Sequence, residues 1–484
     1  MKKWLCRVLV IVCGAACLPF ASACQKEKKI AANYEIVAEY SPELSTVAGT
    51  VKLEFTNPTE RALETLKFNL YPNAYRENAL YKAVSSSYQK AAYYNGKSYG
   101  SITVLSVSGA KSWSVGGEDK NILLVELEKA LYPDEKTVVD IGFLTKLASV
   151  NHRTGVTKNG VNLGNFFPIL CGLKDGAFYE SVYYSDGDPF YSNCANYEMN
   201  FVLPKDYVLA STGKVKAEKS LESKKEYTVY ATNVRDFAVF ASEKYAVLEK
   251  KIGGVKVKYY YYSDENAEAH FETVGKAFEY FSESFGEYPY SEYTVAQADF
   301  CYGGMEYPAI TIVNPFLTEK EYTHTLVHET AHQWWYAVVG SDQTTNAWQD
   351  EGLAEYSAKL FFDAHGEYGV SGKELVADSL AAVREYYRTY GSVFGEADTR
   401  MTRNLSEYLS EYEYRSIAYD KGMVLFDTLR QSVGKKKFSA ALKRYYKDNK
   451  FKIATPANLV AAFERAGVDV AGLVESFTSG KGIV

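Results

Sequence analysis

Two histidines and a distant glutamate restrict the fold of this 484-residue chain more than any other feature. His328 and His332 are separated by three residues, so on a helix both imidazoles project from one face. Glu351 follows 19 residues after His332, and a second helix must bring it back to that face. Two histidines and one carboxylate suit three corners of a tetrahedral zinc site and leave the fourth corner open, as catalytic zinc requires. The sequence therefore predicts two adjacent helices around one Zn²⁺ per chain, with Glu329 placed to take a proton from an attacking water molecule.

Other residues near this motif have simpler interpretations. His324 lies one turn before His328, but a fourth protein ligand would close the open corner, so we interpret it as a packing or surface residue. Glu355 lies one turn after Glu351 and either orients a zinc histidine or is solvated. The alternative for the whole motif is a buried helix that carries two histidines by chance. It is disfavoured because the chain has only six histidines.

The first 24 residues are predicted to be a targeting segment outside the fold. Positive charges within residues 2–7 precede an apolar stretch that ends at Phe20, and residues 21–24 read Ala-Ser-Ala-Cys. This ending resembles a bacterial lipoprotein cleavage site. We predict a lipid anchor at Cys24, a tether over residues 25–33 and an extracytoplasmic location on a bacterial membrane. The alternatives are ordinary secretion and an uncleaved anchor.

Composition narrows the choice of partners and of covalent cross-links. A net charge of −6 provides no basic field, which argues against nucleic acid as a partner. Four of the seven cysteines lie in the targeting segment, so the other three do not form a disulfide framework. At most one bridge, such as Cys171 with Cys194, is compatible with this count.

Residues 34–248 have the pattern of a β domain. Short alternating or apolar runs recur between turn signals such as Asn57-Pro58 and Gly187-Asp188-Pro189. Many short strands with this spacing predict a sandwich-like all-β domain. The clearest predicted strands cover residues 47–55, 66–70, 102–107, 122–127, 138–143, 198–203, 227–231 and 237–241.

Residues 249–484 change to a mixed and then a helical pattern. A strand over 255–262 leads into a helix over 265–285, two strand-like runs follow, and helices continue to the end. The zinc helix is predicted to begin at Thr318, which forms a capping box with Glu321, and to end at Gly340. A mixed sheet followed by helices, with the metal helix between them, resembles the plan of thermolysin-like domains.

Gly303, Gly304, Met305 and Glu306 precede the zinc helix and are predicted to bind substrate. Paired glycines let one backbone approach another closely, so an exposed strand here can hold a peptide by β-addition. Glu306 would then capture the positively charged amino terminus of the peptide. The alternative is a Gly-Gly turn with a solvated glutamate.

Taken together, the motifs resemble those of the aminopeptidase N-type zinc peptidases, a family that also includes leukotriene hydrolase. The shared motifs are Gly-Gly-Met-Glu at 303–306, His-Glu-x-x-His at 328–332, Asp-Glu-Gly at 350–352 and Tyr-x-Lys-Gly at 419–422. The resemblance implies a saddle-like β-sandwich domain followed by a thermolysin-like metallopeptidase domain. We expect no large C-terminal helical domain of the kind that longer members have. The resemblance also implies that Tyr419 donates a hydrogen bond to the tetrahedral oxyanion.

The sequence therefore favours a zinc aminopeptidase that acts on peptides with a free N-terminus. The family's exopeptidase motif usually ends in asparagine, and this chain has Tyr307 there, so a zinc endopeptidase is one alternative. A non-catalytic peptide-binding lipoprotein is another, which the presence of Glu329 and Tyr419 disfavours.

Overall fold

A computed structural model describes residues 30–481, which form a β-rich half followed by an α/β half, as the sequence predicted. The predicted targeting segment, its Cys24 and residues 25–29 of the tether lie outside the described residues. Within residues 30–481, no helix combines the length and the apolar character needed to cross a membrane.

Seven strands form the largest sheet of the β-rich half. In spatial order they are β15 (Lys214–Ser220), β16 (Lys224–Val234), β13 (Ala195–Pro204), β1 (Ala32–Ser41), β2 (Thr46–Thr56), β7 (Lys136–Lys146) and β4 (Ser101–Ser108). Strand β1 pairs in parallel with β13 and antiparallel with β2. Its Tyr34, Ile36, Ala38 and Tyr40 are buried and the residues between them are more exposed, as expected for a sheet with one face on a core.

Smaller sheets complete this half. One four-stranded sheet contains, in spatial order, β10 (Ile169–Leu170), β3 (Leu63–Asn69), β6 (Ile122–Leu131) and β5 (Ser112–Gly116). A second contains β14 (Val208–Ser211), β17 (Ala238–Ser242), β9 (Val161–Gly164) and β8 (Thr154–Val156). A two-stranded hairpin pairs β11 (Leu173–Lys174) with β12 (Ala177–Phe178). One apolar core joins the main sheets and also includes Met305 and Tyr307. The β-rich half therefore packs directly on the segment predicted to bind substrate. Its Cys171 and Cys194 are free thiols, as is Cys301, so residues 30–481 contain no disulfide.

A five-stranded mixed sheet begins the α/β half. Its spatial order is β18 (Ala246–Ile252), β19 (Val255–Tyr261), β20 (Glu292–Gln297), β22 (Ile310–Val313) and β21 (Gly304–Met305). Strands β19, β20 and β22 are parallel, whereas β21 is a short antiparallel edge strand. The predicted substrate segment thus lies at the edge of this sheet, where β-addition of a peptide is geometrically possible.

Helices cover the rest of the α/β half. After the short α1 (Gln89–Ala92) of the β-rich half, they are α2 (Ala267–Phe285), α3 (Glu319–Ala331), α4 (Gln343–Asn346), α5 (Glu351–Ala364), α6 (Gly372–Phe394), α7 (Glu411–Arg415), α8 (Lys421–Val433), α9 (Lys435–Asn449), α10 (Pro456–Arg465) and α11 (Ala471–Thr478). In α2, Val274, Phe278, Phe281 and Phe285 lie on one face and are buried. The described part of the chain contains no separate large helical domain.

Helix α3 begins where the sequence predicted and ends earlier than predicted. The Thr318 hydroxyl accepts a hydrogen bond from the Glu321 amide (3.4 Å), and the Glu321 carboxylate accepts one from the Thr318 amide (3.0 Å), which completes the capping box. The helix ends one residue before His332, so the predicted end at Gly340 is wrong. Gly340 is needed for another reason, because a Cβ there would overlap the guanidinium group of the buried Arg235.

Candidate active site

His328, His332 and Glu351 converge on one buried point between α3 and α5. The two Nε2 atoms are 3.0 Å apart, and Glu351 Oε2 lies 3.4 Å from that of His328 and 3.2 Å from that of His332. Ligands of a tetrahedral ion with bonds of about 2.0–2.1 Å lie about 3.3 Å from one another, so this donor set fits zinc. The structure thus brings together the three residues predicted as metal ligands.

An oxygen atom lies beside Nδ1 of each imidazole, on the side away from the metal cluster; it forms a hydrogen bond with His332, whereas among the described residues His328 Nδ1 has an ion-pair contact without a hydrogen bond. His332 Nδ1 lies 2.9 Å from the carbonyl oxygen of Trp335, and His328 Nδ1 lies 3.3 Å from Glu355 Oε1. An acceptor at Nδ1 keeps the ring proton there and leaves the lone pair of Nε2 for a metal. The second Glu355 oxygen lies 3.4 Å from His324 Nε2, so His324 faces this carboxylate and stands apart from the three-residue cluster.

Glu329 is buried beside the ligands and has one free carboxylate oxygen. Its Oε2 has no hydrogen-bond partner among the described residues. Burial raises the pKa of the Glu329 carboxyl to about 7, and the charges of His328 and His332 offset part of that rise. A carboxyl whose pKa is near neutral is suited to both accepting and returning a proton.

Tyr419 reaches the same point from the helical side of the site. Its ring is stacked on that of His328, with a centroid distance of 6.0 Å and an interplanar angle of 11°. It lies on a π-helical turn, Ser416–Asp420, a rare conformation that is frequent at functional sites. Burial, and then the negative charge of Glu351, raise the pKa of Tyr419 far above its ordinary value. The phenol therefore stays protonated and can donate a hydrogen bond.

A contact between two glycines fixes this arrangement. A Cβ on Gly352 would lie 2.5 Å from the Cα of Gly422, and a Cβ on Gly422 would lie 2.7 Å from the Cα of Gly352. The backbones of α5 and α8 therefore touch, which only residues without side chains permit. Because Glu351 adjoins one glycine and Tyr419 lies one turn before the other, the crossing sets their relative position.

Glu306 belongs to a buried acidic cluster that the sequence predicted only in part. One carboxylate oxygen from each of Asp188, Glu306 and Glu351 lies within 4.8 Å of the others. The Gln343 side chain donates a hydrogen bond of 3.1 Å to Glu306. Burial raises the pKa of Glu306 well above its ordinary value, and the charge of Asp188 raises it further. Such a cluster favours a cation as its occupant.

Asp188 comes from the β-rich half, and sequence reasoning assigned it no role beyond a turn. Its carboxylate accepts a hydrogen bond from Arg153, a buried side chain whose guanidinium lies 5.7 Å from the ring centroid of Tyr302. The Nε of Arg153 also lies 3.3 Å from the sulfur of Met305. Asp188 is therefore charge-balanced, whereas the hydrogen-bond donor of Glu306 among the described residues is a neutral amide.

Tyr307 packs into the β-rich half, against Phe240 and Gly164. A Cβ on Gly164 would overlap the Tyr307 hydroxyl, so this glycine makes room for the ring. The backbone beyond Glu306 is held by Gln333, whose amide donates to the carbonyl oxygen of Tyr307 (3.2 Å) and accepts from the amide of Ala309 (2.8 Å). A side chain other than asparagine at position 307 is thus compatible with an ordered Glu306 segment.

Comparisons with known proteins identify families and structures that this chain resembles. Residues 269–477 match the Peptidase family M1 domain. Leucine aminopeptidase 2 of Emericella nidulans is 30% identical over 171 residues, which cover 33% of this chain and 26% of that protein. Leukotriene A-4 hydrolase of Xenopus laevis is 27% identical over 192 residues, 38% of this chain and 31% of that protein. The matches thus span about a quarter to a third of these two relatives.

Solved structures extend the likeness to both halves of the chain. An M1 zinc metallopeptidase from Deinococcus radiodurans has a TM-score of 0.64 at 15% identity and covers 94% of this chain and 95% of its own. A mutant M1 zinc metallopeptidase from the same organism, bound to a Tyr-Ser-Ala substrate, has a TM-score of 0.62. The β-rich and α/β halves therefore share the fold of those peptidases.

Proposed function

We propose that the protein is a zinc-dependent aminopeptidase of the M1 type, on the premise that residues 269–477 match the Peptidase family M1 domain. The observation that carries the proposal is the placement of Asp188 and Glu306 directly beside Glu351, which also belongs to the metal cluster. A metal cluster alone supports hydrolysis. Two further buried carboxylates at the same point support recognition of a positively charged α-amine.

The residues of the site have separate roles in hydrolysis. Zinc, held by the two histidines and Glu351, would supply Lewis-acid chemistry and make water a stronger nucleophile. Glu329 takes a proton from the attacking water and gives it to the nitrogen of the leaving amine. The Tyr419 hydroxyl donates a hydrogen bond to the substrate oxygen that becomes negative.

The acidic cluster fixes which peptide bond is cut. Glu306 accepts hydrogen bonds from the α-ammonium, and Asp188 supplies a second acceptor that Arg153 holds in place. Because these carboxylates adjoin Glu351, a peptide held there by its α-ammonium would present its first peptide bond to the metal site and to Glu329. The aminopeptidase name of one relative and the Tyr-Ser-Ala substrate of another support peptides as substrates.

The test is a matched pair of peptides, one with a free and one with an acetylated N-terminus. We expect cleavage of the free peptide alone, with about one zinc per chain and loss of activity in Glu329→Gln. Equal cleavage of both peptides would make the protein an endopeptidase and would remove the role given to Glu306. Bound zinc without cleavage of a broad peptide panel would favour a peptide-binding protein.

We further propose, from the pattern of residues 1–24 alone, that Cys24 carries a lipid anchor outside the cytoplasmic membrane. Metabolic labelling with a fatty acid should mark the wild-type protein and not Cys24→Ser. Absence of label on the wild type would favour ordinary secretion or an uncleaved leader.

A further inference from the structure

Gln343 is a buried residue beside the acidic cluster, and one of its two polar atoms is unpaired. The residue is 1% exposed, and its side-chain nitrogen donates the hydrogen bond of 3.1 Å to Oε1 of Glu306. Its side-chain oxygen has no hydrogen-bond partner among residues 30–481. An ionised Glu306 can only accept, so the nitrogen must face the carboxylate and the oxygen is the free atom. A buried acceptor without a partner is unfavourable unless a ligand supplies the donor.

Contacts with the β-rich half hold Gln343 in place. The preceding residue, Asp342, forms an ion pair of 2.7 Å with Lys174 of β11. The following residue, Thr344, has its hydroxyl 3.0 Å from that of Tyr179, which directly follows β12. The hairpin of β11 and β12 therefore anchors the short helix α4 on either side of Gln343. Because the side chain is also buried, it has little room to turn away from the acidic cluster.

The free oxygen of Gln343 is within reach of an ammonium group that Glu306 holds. The oxygen and nitrogen of a carboxamide are about 2.2 Å apart, so the Gln343 oxygen lies at most about 5.3 Å from Oε1 of Glu306. An ammonium nitrogen with hydrogen bonds of about 2.9 Å can bridge acceptors up to about 5.8 Å apart. The two side chains can therefore contact the same nitrogen atom.

The acceptors at this point match the donors of a primary ammonium group. Like the ammonium group of lysine, the α-ammonium of a peptide has three N–H donors. Glu306 and Asp188 supply two acceptors, with oxygens within 4.8 Å of each other, and Gln343 supplies a third. A secondary amine, as in an N-methylated residue or an N-terminal proline, has one donor fewer. It would leave one buried acceptor unpaired, which weakens binding.

We propose that the side-chain oxygen of Gln343 accepts a hydrogen bond from the α-ammonium group of the substrate, beside Glu306 and Asp188. The substrate class is then peptides with a primary α-amine, and peptides with an N-methylated or proline N-terminus are disfavoured. A neutral acceptor suits this position, because a further carboxylate would oppose ionisation of the two already present. This inference rests on the proposed aminopeptidase function and adds a residue to its amine subsite.

The experiment measures the dissociation constants of zinc-binding probes on the zinc-loaded protein by isothermal titration calorimetry. The probes are leucine hydroxamate, its derivative methylated on the α-nitrogen, and 4-methylpentanohydroxamate, which lacks the amine. The variants are Gln343→Met, which removes both polar atoms at similar volume, and Gln343→Asn, which withdraws the amide by about 1.5 Å. Gln349→Met is the matched control. Gln349 is also buried with a free side-chain oxygen, but its nitrogen donates to the Tyr445 hydroxyl and the Ala454 carbonyl oxygen.

For the wild type we expect leucine hydroxamate to bind about 10- to 100-fold more tightly than its N-methyl derivative, because a hydrogen bond to a charged group is lost. This ratio should fall about tenfold in both Gln343 variants, and any steric effect of the methyl group cancels in the comparison. The advantage of leucine hydroxamate over the probe without an amine should also fall about tenfold. Gln349→Met should keep both ratios. Zinc content and melting temperature are measured for every variant.

Three outcomes would overturn the inference. The first is that both ratios are unchanged in the Gln343 variants, and the second is that Gln349→Met shows the same losses. The third is a smaller amine advantage with an undiminished N-methyl penalty, which would mean that Gln343 only orients Glu306. Failure of the wild type to favour leucine hydroxamate over the probe without an amine would overturn the aminopeptidase function itself, and this inference with it.

Discussion

Replacing Gly304 with alanine should disable the proposed general base while leaving the fold intact. A Cβ at this position would lie 2.6 Å from Oε1 of Glu329 and 2.7 Å from both its Cδ and Cγ. Ordinary contact begins near 3.4 Å, so the carboxylate must retreat by about 0.8 Å. A misplacement of about 1 Å at a reacting group costs on the order of a hundredfold in rate. We therefore expect kcat to fall about a hundredfold.

The neighbouring glycine provides a matched control. A Cβ on Gly303 would meet only Thr325, with its nearest atoms at 3.5 and 3.7 Å, which is ordinary van der Waals contact. Neither Gly303 nor Gly304 has a positive φ, so alanine is compatible with the backbone at both positions. The two variants thus differ in contact with the base and not in backbone strain.

The assay measures kcat on an aminoacyl 4-nitroanilide, zinc per chain and the melting temperature for both variants. Gly303→Ala should keep kcat within about threefold of the wild type. Gly304→Ala should lose activity with zinc content and melting temperature close to wild type. Equal kcat values for the two variants would refute the reasoning. Loss of zinc in Gly304→Ala would mean that the contact disturbs the ligands and not the base alone.

Three further changes test other parts of the structure. Glu355→Gln should weaken zinc binding about 10- to 100-fold in a chelator competition, because the Glu355 carboxylate lies 3.3 Å from Nδ1 of the predicted ligand His328, where an acceptor would orient the ring. Unchanged zinc affinity would contradict this expectation. Burial opposes protonation of His270, but carboxylates at 2.9 and 3.0 Å outweigh it and raise its pKa. Protonated His270 therefore adds to the free energy of unfolding at low pH, and this contribution is lost as the pH rises through the raised pKa of His270. In urea titrations, His270→Gln should destabilise the protein more at pH 6 than at pH 9. Gly164→Ala should destabilise by about 1–3 kcal/mol through overpacking, and addition of Tyr307→Asn should remove most of this coupling.

The histidine pair of the metal cluster could be predicted from sequence because local geometry determines it. Three intervening residues place two imidazoles on one helical face whatever surrounds the helix. The predicted strands also depend on local geometry, because the alternation of buried and more exposed residues, as over 198–203 in β13, follows from the pleat of a β-strand. Strands of two residues, such as β10 and β12, are too short to show any period.

The parts that were not predicted depend on tertiary contacts. Asp188 lies in a Gly-Asp-Pro turn, and only the packing of the two halves brings its carboxylate to Glu306. The sequence predicts a helix end at Gly340 because glycine commonly marks one, but in the structure this glycine makes room for Arg235 from the β-rich half. In both cases a turn residue has a long-range role that no local pattern indicates.

The crossing of α5 and α8 at Gly352 and Gly422 has a consequence for how this sequence can change over evolutionary time. Any side chain at either glycine would separate the two helices and draw Tyr419 away from Glu351. The Asp-Glu-Gly and Tyr-x-Lys-Gly motifs are far apart along the chain, yet neither glycine can drift independently of the other. Selection acts on them as on a single motif, and recombination that exchanges one segment without the other must still supply both glycines.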